Sequence, residues 1–142
     1  MEIKKLIAVS VLAALATGCA SSNVKPVNTT NNQITDVCIV ENEAVRVSDF
    51  LDVLENRLND NGINTAVYKL AYLPKECTYT LRYTARRSWD IVPYMATAEM
   101  KLKQGHKQIG RASYDVSGFD LIHKWRGTEY KMHPVIDELF NL

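Results

Sequence analysis

The sequence predicts an α+β domain: an antiparallel sheet of about four to five strands with two helices packed on one face. Three observations carry this. Apolar and polar residues alternate with period two through residues 79–116, and apolar residues recur at helical spacing in two segments, 50–58 and 132–139. Between these runs lie turn residues, Gly62, Pro74 and Gly105, which divide the chain into elements of ordinary length.

The elements follow in order. Thr35 to Val40 is rich in β-branched residues and reads as a first strand carrying Cys38. Ser48 is the expected helix N-cap, with Asp49 and Asp52 in the first turn where the helix dipole favours acid. Phe50, Leu51, Leu54 and Leu58 then form the buried stripe, and Gly62 falls just past the helix end. Residues 63–70 suit a second strand, after which Pro74 turns the chain toward Cys77. Tyr79, Leu81, Tyr83 and Ala85 oppose Thr80, Arg82, Thr84 and Arg86, the mark of a strand with one face wet. Tyr94, Ala96, Ala98, Met100 and Leu102 repeat the pattern, and Gly105-His106 reverses the chain into Gln108, Gly110, Ala112, Tyr114 and Val116. Small residues at Ala96, Ala98, Gly110 and Ala112 would let helices approach that face closely. Met132, Val135, Ile136 and Leu139 form the last helical stripe, in which Pro134 is expected only in the first turn.

The N-terminus has a different character. Lys4 and Lys5 precede an apolar run from Leu6 to Thr17, shorter than the roughly 20 residues a spanning helix needs. A basic start, a short apolar run and small residues ahead of Cys19 read as an export signal over 1–18 that is cut away. Residues 19–34, rich in Asn, Thr and Ser, read as a flexible tether, leaving a single domain over 35–142.

Leu15-Ala16-Thr17-Gly18-Cys19 resembles the lipobox of Gram-negative bacterial lipoproteins, with Ala16 where that family more often has Leu. The resemblance implies that Cys19 is acylated and becomes the first residue of a membrane-anchored protein. With Ala20 rather than Asp next, it also implies the outer membrane, facing the periplasm. Beyond the anchor, the domain resembles the small α+β lipoprotein domains of the same bacteria, a likeness that supplies no activity.

Composition narrows the partners. The chain has 17 basic and 16 acidic residues, and removing Lys4, Lys5 and Glu2 with the signal leaves them equal, which argues against nucleic acid as a partner. Of three cysteines, Cys38 and Cys77 remain as a pair in an oxidising compartment, so a disulfide is the natural assignment. A metal site with His106, His123 or His133, or a nucleophilic cysteine, competes with it, although no Cys-x-x-Cys or His-x-x-x-His spacing is present.

No Gly-x-Ser-x-Gly and no phosphate-cradling glycine loop occurs, so neither enzyme nor cofactor is expected. The binding candidate is Arg86, Arg87 and Trp89, residue types enriched in binding hot spots. The competing arrangement packs Trp89 on the core edge and pairs Arg87 with Asp90 or Glu99. The expected function is a non-catalytic binding or envelope-assembly accessory with a protein, glycan or lipopolysaccharide partner. An envelope enzyme or enzyme inhibitor acting through residues 86–90 is the alternative.

Overall fold

The computed structural model describes residues 20–142, so the export signal and Cys19 lie outside the described residues. The described chain is α+β, with six strands in one mixed sheet and two helices. The strands are β1 (Ser21–Lys25), β2 (Asp36–Val40), β3 (Asn64–Tyr68), β4 (Tyr79–Asp90), β5 (Val92–Gln104) and β6 (Lys107–Asp115). Helix α1 (Phe50–Asp60) joins β2 to β3, and α2 (Thr128–Phe140) ends the chain. Sheet order is β1-β6-β5-β4-β2-β3.

Several expectations are corrected, beginning with the strand number, six rather than four to five. The sheet is mixed, because β2 runs parallel to both β3 and β4 while the remaining pairs are antiparallel. The β2–α1–β3 crossover is the cause: a helix between two neighbouring strands brings the second back in the same direction. The expected flexible tether is in large part structured. Ser21–Lys25 pairs with β6 from Ser21↔Asp115 to Lys25↔Arg111, and Val27 is buried against α2, where its N–H donates to Leu139 O at 2.9 Å. Its polar composition suits an edge strand whose side chains are mostly exposed, so composition hid a backbone ladder.

The central meander follows the alternation. Leu81, Tyr83 and Ala85 on β4 lie opposite Leu102, Met100 and Ala98 on β5, which in turn face Gly110, Ala112 and Tyr114 on β6. These side chains are buried under the helices. The small residues allow close approach: a Cβ at Gly110 would stand 2.9 Å from Leu139 Cδ1 on α2. Helix α1 buries Phe50, Val53, Leu54 and Leu58, starts from Asp49 rather than Ser48, and is followed by Gly62 at φ 79°. Arg57 on α1 grips Asp137 on α2 through two hydrogen bonds, fixing one helix against the other.

Helix α2 buries Met132, Val135, Ile136, Leu139 and Phe140, the expected stripe with one more residue. Pro134 lies inside it rather than in its first turn. Its exposed position explains the tolerance, since the carbonyl it leaves unbonded, that of exposed Tyr130, can be solvated. Among the described residues no helix is long and apolar enough to cross a membrane.

Cys38 and Cys77 form a disulfide with Cα atoms 6.0 Å apart. It becomes possible because β2 pairs with β4 at Cys38↔Thr80, which brings the segment just before β4 alongside β2.

Candidate functional site

Each residue of the sequence-derived candidate lands in a different place. Arg86 points to the outer sheet face, in a depression shared with Thr97, Glu99 and Asp115. A register shift between Arg86 and Arg87 resets the strand, and Arg87 instead lines a cleft at the starts of the two helices. Trp89 is 71% exposed near the tip of the β4–β5 hairpin. The competing arrangement is absent, because Asp90 pairs with Lys124 and Glu99 with Lys101 and Arg111.

The cleft has a volume of about 280 Å³ and is bordered by Arg46, Arg87, Arg126, Tyr94 and Trp125. The three arginines come from the loop before α1, from β4 and from the loop before α2. Among the described residues none of the three is within ion-pair distance of a carboxylate. The helix starts that flank them are joined by a hydrogen bond from Thr128 Oγ1 to Asp49 Oδ1 at 2.8 Å. Three guanidiniums and the positive ends of two helix dipoles thus converge, with Asp49 as the one opposing charge on the cleft wall. Trp125 is held in place by its indole N–H, which donates to Asp90 O at 3.1 Å. Such a concavity has the charge to attract an anionic group beside an apolar surface.

Beneath the cleft lies a buried cationic pair around Tyr94. Lys124 reaches Asp90, and Lys131 donates to Met95 O at 2.9 Å and Lys124 O at 2.7 Å. Both ammonium groups stand 5.6 Å from the Tyr94 ring centroid. Burial draws the Lys131 pKa down to about 8. Asp120 is held at about 2, chiefly by the backbone N–H of His123 and further by the His123 ring and the N–H groups of Ile122 and Ala20. Tyr114 is pushed up to about 12, first by burial and then by the charge of Asp120. Lys124, Lys131 and Asp120 thus tie the hairpin, the loop before α2 and α2 to one another.

The three histidines stand apart from one another. His106 is exposed in the β5–β6 turn, His133 lies within α2, and His123 binds Asp120. Among the described residues no group of three or more His, Cys, Asp or Glu side chains could hold a metal ion. Sequence reasoning missed Arg46, Trp125 and Arg126, which have no common spacing and converge only through the fold.

No known protein family and no curated protein matches the chain. Among solved structures the fold is similar to the PelC dodecamer from Paraburkholderia phytofirmans. A single-substitution variant aligns with a TM-score of 0.63 at 11% identity, covering 85% of this chain and 98% of that one. A second PelC structure aligns with a TM-score of 0.58 at 12% identity over 85% and 94%. At that identity the likeness is one of fold.

Proposed function

We propose that this chain is a lipid-anchored protein of the cell envelope, acylated at Cys19 and held at the periplasmic face of the outer membrane. It acts without catalysis, as a binding or assembly accessory that takes an anionic group of an envelope protein, glycan or lipopolysaccharide into the Arg46–Arg87–Arg126 cleft. The observation that carries the binding role is the convergence of three guanidiniums, none paired with a carboxylate among the described residues, on one concave wall. Exposed arginines without carboxylate partners repel one another, and an anion offsets that repulsion. The anchor rests on the Leu15–Cys19 pattern.

Two measurements test the two halves separately. Palmitate labelling of cells should mark the protein and fail with Cys19→Ala. Titration of the detergent-purified full-length protein with lipopolysaccharide, intact and dephosphorylated, reads the cleft. Preference for the phosphorylated form, lost in an Arg87→Ala, Arg126→Ala double variant that stays folded, is expected. Equal binding of both forms by native protein and variant counts against an anionic ligand.

A further inference from the structure

The exposed apolar side chains gather at one end of the sheet, and the described chain enters at that same end. Ser21 opens β1 level with Asp115, where β6 ends, and with Thr97 on β5. Beyond that level project the β4–β5 hairpin tip and the loop 117–126, joined by Lys124 to Asp90 and Trp125 to Asp90 O. On these two segments stand Trp89, Ile91, Val92, Phe119, Leu121 and Ile122, with Phe119 93% and Ile91 78% exposed. Of the other large apolar residues exposed among those described, Leu70 and Tyr72 share the turn at 70–72, Tyr130 stands in the first turn of α2 and Leu142 ends the chain, so none of these groups matches the six at this end.

Three further observations say what covers this end. The Ala20 N–H donates to Asp120 Oδ2 at 2.8 Å, so the residue bonded to Cys19 is fastened to the loop that carries Phe119, Leu121 and Ile122. A lipid on Cys19 would therefore be tethered through the residue that this loop holds, since consecutive Cα atoms are about 3.8 Å apart. Charge permits it: Asp90 pairs with Lys124, Asp120 is buried and bonded to His123, and Arg87 and Arg126, without carboxylate partners among the described residues, border the patch, while Asp49, Asp115 and Glu129 are the acids nearby. Finally, Ile91 holds φ at 64°, where a β-branched residue is unfavourable and Gly or Asn is the ordinary choice. An apolar side chain kept there at a cost to the turn, and left in the open, fits a contact made outside the domain.

We propose that this end of the domain is a bilayer-docking surface. The hairpin tip and the 117–126 loop sink into the interfacial region of the membrane that carries the lipid anchor, with Arg87 and Arg126 at the level of the phosphates. The docking rests on acylation of Cys19 for its tether and adds to it a fixed orientation, with the far end of α2 pointing away from the membrane.

The protein's two tryptophans, Trp89 and Trp125, both belong to this end and report on it directly. Full-length protein purified from membranes is reconstituted on vesicles of phosphatidylethanolamine and phosphatidylglycerol that contain lipids spin-labelled near the head of the acyl chain. Trp emission should shift to the blue and lose most of its intensity. A reporter at the opposite end, Leu142→Trp in a Trp89→Phe, Trp125→Phe background, should keep its intensity. Replacing the exposed Phe119, Leu121 and Ile122 with Ser should restore native Trp emission while the far-ultraviolet dichroism stays unchanged. Unquenched native tryptophans, or equal quenching of both ends, would overturn the docking. Palmitate content of the same preparation is read separately, so failure of the anchor and failure of the docking are distinguishable.

Discussion

Lys124 and Asp90 lie 34 residues apart in sequence and meet at the tip of the β4–β5 hairpin, where the Lys124 ammonium donates to Asp90 Oδ2 at 2.5 Å. The lysine is 1% exposed and its partner about half exposed, so the two are not equivalent. Removing the carboxylate strands a buried cation, whereas removing the lysine frees a carboxylate that water can reach. Asp90→Ala should therefore lower stability by about 1–3 kcal/mol, and Lys124→Met by less. Chemical denaturation of both variants checks the order, and the reverse order would mean that the pair contributes through lysine packing.

The disulfide closes a loop with a sequence separation of 39. Replacing both Cys38 and Cys77 with Ser should cost about 2–5 kcal/mol, with palmitate labelling unaffected. Non-reducing mass mapping of the native protein should find the Cys38–Cys77 cross-link, and two free thiols would refute it.

Gly110 sits where α2 rests on β6, and Gly110→Ala forces Leu139 out of a fully packed position. Thermal unfolding should show a loss of about 1–3 kcal/mol, the usual range for overpacking. An unchanged midpoint would mean that the helix shifts freely on the sheet.

Two groups set the pH dependence. The folded pKa of Asp120, about 2, lies below its ordinary 3.8, so its contribution is present above pH 4 and is lost as pH falls toward 2. Lys131 is lowered from 10.5 to about 8, so the folded state binds fewer protons than the unfolded state between those values, and stability rises with pH across that window. Asp120→Asn should flatten the acid slope and Lys131→Met the alkaline one. Melting curves from pH 2 to 10.5 read both slopes.

Ile91→Gly relieves a positive φ and should stabilise the domain in solution by about 1 kcal/mol. On vesicles the same change removes an apolar contact and should weaken Trp quenching. A variant stabilised in solution with quenching unaltered would show that Ile91 does not reach lipid.

Sequence periodicity made the meander and both helices legible because each buries one face, and burial leaves a period of two or of 3.6. Ser21–Lys25 left no such trace, since an edge strand with exposed side chains is specified by its backbone bonds alone. The β2–β3 pairing was hidden for a related reason: residues 36–40 and 64–68 read as strands, but nothing in them states direction, which follows from the helix between them. The site was legible only at Arg87. Arg46 and Arg126 are 80 residues apart, and their convergence depends on how α1 and α2 meet, which side-chain types do not encode. Trp89 was singled out for its residue type, yet its partners in exposure, Phe119 to Ile122, fall where the alternation stops after Val116 and no period replaces it.

The first strand of the chain pairs with the last, Ser21 with Asp115, and this sets an order of events. A polypeptide made from its N-terminus delivers β1 long before β6, so the sheet's final ladder must wait until residues 107–115 have emerged. Until then β1 and the β5 edge that β6 will cover are unpaired, the condition in which extended segments join neighbouring chains. Closure across such a sequence distance is slow relative to local pairing. A lipid on Cys19 would act during that interval as a kinetic device, because it would confine the waiting strand to the same surface as the rest of its own chain.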